Sequence, residues 1–194
     1  MAETPNTNIR LIDGVEAPAP GDWAFDAAHT NIMFVARYAM LTKVRGRFNA
    51  FDGTIHVAER PEESSVEVRI DASSISTDNE QRDAHLRSGD FLDLENEPDI
   101  TFRSTTVERA EGNRFRLTGD LSIRGVTKEA SFDVDYAGVA VGIDHKTRIA
   151  FAAGLEIDRD DFNVSWNMPI ETGGVLVGKH VQIELEVQAV AEGQ

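Results

Sequence analysis

Apolar and polar residues alternate with a period of two along most of this chain, and this pattern constrains the fold more than any other feature. The final segment, 181–189, is the clearest case, because every second residue is apolar and the residues between are Gln or Glu. The same alternation recurs over 66–71, 115–123, 130–136 and 149–157. Successive side chains of a β-strand point to opposite faces, so each segment is predicted to be a strand with one dry face.

The polar face that accompanies each predicted strand indicates an antiparallel sheet. Strands of a parallel sheet are buried on both faces and show continuous apolar runs instead. Several long antiparallel strands can close on themselves, which removes the exposed edges of the sheet. The predicted fold is therefore all-β, an antiparallel β-barrel of about eight strands.

One segment, 44–57, changes its alternation partway along. Apolar residues lie at even positions up to Phe48 and at odd positions from Phe51 onward. Such a shift within one long strand requires a bulge, which we expect near Asn49 and Ala50. A bend of this kind helps a long strand to curve around a barrel.

A second segment leaves the strand pattern altogether. Thr77 and Glu80 have the spacing of a capping box, and good helix formers follow them. The sequence predicts a short helix over about 78–87, placed as a lid near the mouth of the barrel. The dipeptide Glu97-Pro98 then ends an irregular piece before the next strand.

The chain of 194 residues is long enough for one domain with its own core. Residues 1–21 are polar and contain Pro18 and Pro20, so they are predicted to form a flexible N-terminal arm, with the barrel domain over 22–194. The arm lacks a basic region followed by an apolar one, so no signal peptide is visible and a cytoplasmic location is expected.

Charge and composition exclude several classes of partner. The formal net charge is -15 and cysteine is absent. An acidic surface repels phosphate backbones and anionic membrane faces, so we expect no nucleic-acid partner. Apolar runs fall short of the roughly 18 residues of a membrane span, so no membrane insertion is expected.

Motifs for catalysis, metal binding or nucleotide binding are not apparent. The histidines are His29, His56, His85, His145 and His180, and they form no HxH or HExxH pair. A metal site would have to assemble from distant segments. Nucleophile-elbow, P-loop and dinucleotide motifs are also lacking. We therefore expect no enzyme activity, no catalytic residue, no metal and no cofactor.

The predicted helix carries the most suggestive polar residues. Arg82 and His85 are three residues apart and share a face, so they could hold an anionic headgroup at the barrel mouth. They could equally bind neighbouring loops and fix the lid in place. A third interpretation pairs His85 with Asp83 as the acid and base of a barrel enzyme.

Aromatic residues recur on the dry rows of the predicted strands. These residues are Phe34, Phe48, Phe51, Phe102, Phe115, Phe132, Phe151 and Phe162, with Tyr38 and Trp166 nearby. An eight-stranded barrel either fills its interior with side chains or holds one small ligand. Small residues on the same rows favour open space; they are Ala36, Gly46, Gly119, Ala130 and Ala153.

Blocks of residues between Trp23 and Val190 resemble the YceI-like family in their type and order. The blocks include Val44-Arg45-Gly46-Arg47-Phe48, the run 82–91, the run 119–127 and the run 159–162. The resemblance implies a lipocalin-like barrel with an elongated apolar cavity that binds isoprenoid chains, such as polyprenyl phosphates or the tails of quinones. It implies no catalytic activity.

The expected function is therefore to bind an isoprenoid or other long apolar molecule for transport, storage or sequestration. The residues expected to contact it are Phe34, Tyr38, Phe48, Arg82, His85, Phe91, Phe102, Phe132, Phe151, Phe162 and Trp166. The main alternative is a packed structural or dimerising barrel without a ligand, and the sequence leaves a homodimer open. A barrel enzyme is the third alternative.

Overall fold

The computed structural model describes residues 8–12, 14–171 and 173–192, which are mainly antiparallel strands. The strands are β1 (Ile9–Ile12), β2 (Val15–Pro18), β3 (Gly21–Phe25), β4 (Asn31–Tyr38), β5 (Thr42–Phe48), β6 (Phe51–Val57), β7 (Ser65–Asp71), β8 (Ile75–Ser76), β9 (Asp99–Arg109), β10 (Arg114–Ile123), β11 (Val126–Val141), β12 (Thr147–Asp158) and β13 (Val177–Ala191). The α-helix is α1 (Glu80–Arg87), and the short 3₁₀ helices are Pro61–Glu63, Ala72–Ser74 and Arg159–Phe162.

The strands close into an eight-membered antiparallel barrel, which confirms the predicted fold class. The end of β13 pairs with β3 and its beginning pairs with β4, so β3 and β4 act as one interrupted strand. In the same way β5 pairs with β4, and β6 pairs with β3. The ring continues through β7, β9, β10, β11 and β12, and the pairing of β12 with β13 closes it.

The predicted break in segment 44–57 is confirmed. Asn49 and Ala50 separate β5 from β6, and the side chains of Phe48 and Ile55 both line the interior. On their other edges the two halves pair with different strands. There β5 pairs with β8, and β6 pairs with β7. The one extra residue in this stretch shifts the alternation and lets the long strand change direction while its apolar side chains stay inside.

The start of the predicted helix is corrected by the structure. Helix α1 begins at Glu80, and its N-cap is Asn79, whose Oδ1 accepts a hydrogen bond from the Arg82 N–H at 2.9 Å. The predicted capping box of Thr77 and Glu80 is therefore wrong. The Thr77 hydroxyl is engaged elsewhere, because it donates to the buried carboxylate of Asp83.

The buried core is divided between the two ends of the barrel. At the end that carries α1, here called the helix end, the buried apolar side chains are Ala72, Phe91, Ile100, Leu121, Ile123, Phe162 and Val164. At the opposite end they are Trp23, Val57, Tyr136, Ile149, Ala189 and Ala191. The middle of the barrel lies between these two clusters.

Part of the N-terminal arm forms a hairpin of β1 and β2 against the second cluster, and we call this the hairpin end. Arg10 donates to the carbonyl oxygens of Ala58 and Glu59, and the Tyr136 hydroxyl donates to the Glu16 carbonyl at 3.2 Å. Residues 1–7 and Asp13 of the arm lie outside the described residues. The flexibility of the arm stays a prediction.

Candidate functional site: an apolar cavity through the barrel

A cavity of about 420 Å³ runs through the barrel between the two core clusters. Its lining extends from Ile12 and Val15 at the hairpin end to Phe91 and Leu92 at the helix end. Its volume falls within the range of about 300–1,000 Å³ that is typical of small-molecule sites. An elongated space with an apolar wall fits a long apolar molecule better than a compact polar one.

The inward rows of side chains are only partly buried in the middle of the barrel. Ile149 and Ala189 at the hairpin end have no exposed surface, whereas Leu117, Leu155 and Ile183 are partly exposed although they face inward and line the cavity. Close-packed cores bury such side chains completely. The remaining exposed area of these residues therefore faces the cavity.

Only some of the small residues create this space, which corrects the sequence interpretation. The ring of Phe34 covers Gly46 on the next strand, and the ring of Phe102 covers Gly119. A Cβ at Gly119 would lie 2.6 Å from the Phe102 ring, so the missing side chain accommodates a ring and leaves no void. Ala153, in contrast, does line the cavity.

The structure brings seven of the predicted ligand-binding residues together around the cavity. These seven are Phe34, Phe48, Phe91, Phe102, Phe132, Phe151 and Phe162. Within this set, Phe102 and Phe132 have ring centroids 5.5 Å apart, and those of Phe34 and Phe48 are 5.7 Å apart. That these residues bind a ligand stays a prediction.

The other four predicted residues lie at the helix end, outside the cavity lining. Tyr38 is 46% exposed at the end of β4. His85 and Trp166 have ring centroids 4.7 Å apart, and both rings contact Phe91, which does line the cavity. Arg82 donates from its Nε to the Thr77 hydroxyl at 2.7 Å and from its guanidinium to the Thr77 carbonyl at 2.8 Å.

The polar residues of α1 have partners that hold the lid in place. The Asp83 carboxylate accepts the Thr77 N–H at 2.9 Å as well as the Thr77 hydroxyl. His85 Nε2 lies 2.8 Å from the Asp90 carboxylate. Asp83 and His85, which the sequence suggested as an acid–base pair, are therefore hydrogen-bonded to different residues, Asp83 to Thr77 and His85 to Asp90.

Arg159 is a buried cation that the sequence interpretation did not single out. Arg159 as a whole is 5% exposed and lines the helix end of the cavity. Its guanidinium donates to the carbonyl oxygens of Val164, Trp166, Val177 and Gly178. Burial lowers its pKa, although nearby carboxylates act in the opposite direction. These bonds fix the loop that precedes β13 against the barrel. The alternation of apolar and polar residues could not predict that Arg159 is buried, because Arg159 lies in a 3₁₀ helix and not in a strand.

Other kinds of site receive no support from the geometry. Across the described ranges 8–12, 14–171 and 173–192, no group of three or more His, Cys, Asp or Glu side chains is placed to hold a metal ion. Over those same residues, no helix has the length and apolarity needed to cross a membrane.

Comparison with known proteins agrees with this description. The profile of the YceI-like domain matches residues 23–189. The chain is 34% identical over 170 residues to UPF0312 protein SAS2572 of Staphylococcus aureus, which covers 86% of this chain and 96% of that protein.

Solved structures share the fold. BcnA of Burkholderia cenocepacia matches with a TM-score of 0.75 and 24% identity over 84% of this chain and 98% of that one. The YCEI protein of Campylobacter jejuni matches with a TM-score of 0.67 and 27% identity over 80% and 90% of the two chains. A polyisoprenoid binding domain from Saccharophagus degradans matches with a TM-score of 0.67 and 15% identity over 87% and 98%.

Fold and site together define a closed antiparallel β-barrel with an apolar internal cavity, the architecture of a binding-protein barrel. The match over 23–189 gives the particular family: the chain belongs to the YceI-like family.

Proposed function

We propose that this protein binds a long apolar molecule with an isoprenoid chain, such as a polyprenyl phosphate or the tail of a quinone, inside the barrel. The observation that carries the proposal is the elongated cavity of about 420 Å³ between the two core clusters, with its apolar lining. A structural neighbour is named a polyisoprenoid binding domain, which supports the same class of ligand. Binding of this kind serves transport, storage or sequestration of the lipid.

The energetics of such binding depend on contact with the cavity wall. Burial of one methylene contributes about 0.8 kcal/mol, so one five-carbon isoprene unit contributes roughly 3 kcal/mol before costs. Association costs at least about 4 kcal/mol in lost translational and rotational freedom. A few isoprene units therefore exceed that cost without any charged contact, and affinity should rise with the number of units inside.

We place the polar end of the ligand at the helix end of the barrel. Tyr38, Arg82, His85 and Trp166 all lie there, and the His85 ring contacts Phe91 on the cavity wall. An anionic headgroup there would be near the side chains of Arg82 and His85, and hydrogen bonds to ionised groups are stronger than neutral ones. At the hairpin end, the β1–β2 strands cover the cavity.

Native mass spectrometry of the purified protein tests the main proposal. We expect a mass above the 21.3 kDa of the chain, and we expect organic extraction to remove the difference and release an isoprenoid compound. A mass equal to that of the chain, together with no uptake of an added polyprenol, would contradict the proposal and favour a packed barrel without a ligand.

A double variant, Arg82→Ala with His85→Ala, tests the placement of the headgroup. The variant should bind a polyprenyl phosphate at least about ten-fold more weakly, because a charge-assisted bond contributes about 1.5 kcal/mol or more. It should bind an uncharged polyprenol of equal length almost as well as wild type does. Equal losses for the two ligands in a titration would assign both residues a structural role, as the bonds between Arg82 and Thr77 would explain.

A further inference from the structure

The turn between β4 and β5 and the loop beside it expose a group of large apolar side chains at the helix end. This group, here called the apolar tip, consists of Tyr38, Met40, Leu41, Met168 and Val175. Leu41 is 84% exposed and Met40 is 56% exposed. The Ala39 N–H donates to the Leu176 carbonyl at 2.6 Å, which joins the turn to the loop. The apolar tip is thus one surface built from two segments.

The backbone of this turn is unfavourable for the residues it contains. Ala39 and Met40 both have positive φ, at 49° and 58°. Tight turns with this conformation strongly favour Asn and Gly, because a Cβ is strained there. The turn between β10 and β11 has the same kind of backbone at Arg124 and Gly125 and includes the expected glycine. Turn geometry therefore does not explain an Ala-Met sequence followed by an exposed leucine.

Cations lie beside the apolar tip on β4 and β5 although the protein as a whole is acidic, and Glu171 is the acidic residue of the neighbouring loop. Segment 33–47 contains Arg37, Lys43, Arg45 and Arg47 and no acidic residue, whereas the chain has a net charge of -15. Arg37 lies directly opposite Lys43 in the register of β4 and β5, and like charges in such a pair destabilise a sheet. Among the residues described by the structure, Arg37, Lys43 and Arg45 take part in no ion pair.

The hairpin end also exposes apolar side chains, but its charge is different. Ile143 is fully exposed in the turn between β11 and β12, and Val141 at the end of β11 is 51% exposed. The residue next to Ile143 is Asp144, which forms an ion pair with Arg148 at 2.8 Å. Arg148 is therefore neutralised, and Lys146 is the one further cation of that turn, whereas Arg37, Lys43 and Arg45 lie together beside the apolar tip.

We propose that the apolar tip and the cations beside it form a docking surface for an anionic lipid bilayer. Exposed Leu, Met and Tyr side chains can enter the boundary between headgroups and acyl chains, while neighbouring Lys and Arg contact anionic headgroups. The rest of the acidic surface has little influence, because ionic screening limits charge interactions to about 8 Å at physiological ionic strength. Negative net charge thus coexists with attraction at this one end.

Docking in this way turns the helix end of the cavity toward the membrane. Tyr38 of the apolar tip is paired in register with Val177, which lines the cavity. A molecule that leaves the bilayer at this point would therefore have the helix end of the barrel next to it. The docking surface is on the outside of the barrel and does not depend on which ligand the cavity holds.

Cosedimentation with lipid vesicles tests this docking surface. Vesicles of phosphatidylcholine and phosphatidylglycerol in a three-to-one ratio should bind the wild-type protein, and pure phosphatidylcholine vesicles should bind it at least ten-fold more weakly. Leu41→Ser should weaken binding to the anionic vesicles about ten-fold, because an apolar anchor is lost. Arg37→Gln with Lys43→Gln should weaken it more than ten-fold, since each cation near an anionic surface strengthens binding about five-fold.

Ile143→Ser is the matched control, because it removes a highly exposed apolar side chain from a hairpin turn, as Leu41→Ser does, but at the opposite end. It should leave vesicle binding unchanged, and circular dichroism should show that all variants are folded. Equal binding to both kinds of vesicle, or an equal loss for Ile143→Ser and Leu41→Ser, would overturn the proposal. So would an absence of vesicle binding together with a dimer that Leu41→Ser dissociates in sedimentation, because the apolar tip would then bind a second copy of the chain.

Discussion

Tyr136 is the buried phenol of the hairpin end, where it is 9% exposed and donates to the Glu16 carbonyl. Burial raises the pKa of this hydroxyl to about 12, and the charge of Glu16 adds to the effect. The folded state therefore holds the proton more tightly than the unfolded chain, in which the pKa is about 10. The resulting contribution to stability is complete below about pH 10 and is lost as the pH rises through about 12.

We expect the unfolding free energy to fall between about pH 10 and 12 by on the order of 2–3 kcal/mol more in wild type than in Tyr136→Phe. Denaturant titrations at several pH values measure the difference. The chain has two tyrosines, so a Tyr38→Phe variant leaves Tyr136 alone for a titration of tyrosinate absorbance. Ionisation of that remaining tyrosine near its usual pKa would contradict the packing described for the hairpin end.

Individual glycines show how far single residues can be interpreted from sequence. Alternation placed Gly46 and Gly119 correctly on the inward face, but it gave no information about which ring lies over them. Phe34 lies on the strand next to that of Gly46, and Phe102 lies on the strand next to that of Gly119. Only the register between the paired strands brings each ring over its glycine. Space inside a barrel therefore depends on pairing between strands, which the composition of one strand does not reveal.

At the scale of elements, helix α1 is fixed by a small polar network around Thr77. Its hydroxyl donates to the buried Asp83 and accepts from Arg82, so both of its hydrogen-bonding roles are used. Thr77→Val keeps the shape of the side chain and removes both bonds. The unfolding free energy should fall by about 1–3 kcal/mol, because a buried carboxylate loses a donor.

Thr77→Ser is the control for this network, because it retains the hydroxyl. Its midpoint in a denaturant titration should stay close to that of wild type. If Thr77→Val and wild type unfold at the same denaturant concentration, the network does not anchor the helix.

The elements themselves were largely predictable from the sequence, for a physical reason. Strands with one solvent-exposed face must alternate apolar and polar residues, so the sequence pattern predicted β10, β12 and β13. It also predicted the break at Asn49 and Ala50. The start of α1 was not predictable, because the hydrogen bonds between Thr77 and Asp83 engage the Thr77 side chain, and Asn79 caps the N-terminus of the helix instead. The β1–β2 hairpin was also missed, since its short strands and its prolines resemble a linker.

At the scale of the whole molecule, the site depends on how the core is divided. Two packed clusters close the ends of the barrel, and partly exposed side chains such as Leu155 and Ile183 surround the space between them. The family resemblance implied an elongated cavity, and the geometry shows one. The polar surroundings of His85 and Arg82, in contrast, follow from loop and helix contacts that no periodicity encodes.

The distribution of charge is likewise a property of the whole molecule. The net charge of -15 led us to expect repulsion from anionic membranes, yet four cations lie within segment 33–47 without an acidic residue among them. A total charge averages over distances far longer than the screening length of about 8 Å. The arrangement at one end therefore decides the local interaction.

The central claim is that the middle of the barrel is a binding cavity, and a variant that fills it tests this claim most directly. Ala153 lines the cavity on β12, between Phe151 of one cluster and Leu155 of the other. Ala140 is exposed on β11, so Ala140→Phe is the matched control for Ala153→Phe. Native mass spectrometry after addition of a polyprenol measures the bound fraction of each protein.

Wild type and Ala140→Phe should bind the polyprenol equally. Ala153→Phe should remain folded and bind about ten-fold more weakly or not at all, because the added ring occupies the space of the ligand and crowding of this kind costs about 1–3 kcal/mol. Undiminished binding by a folded Ala153→Phe variant would contradict the account, because the ligand would then lie somewhere other than the cavity.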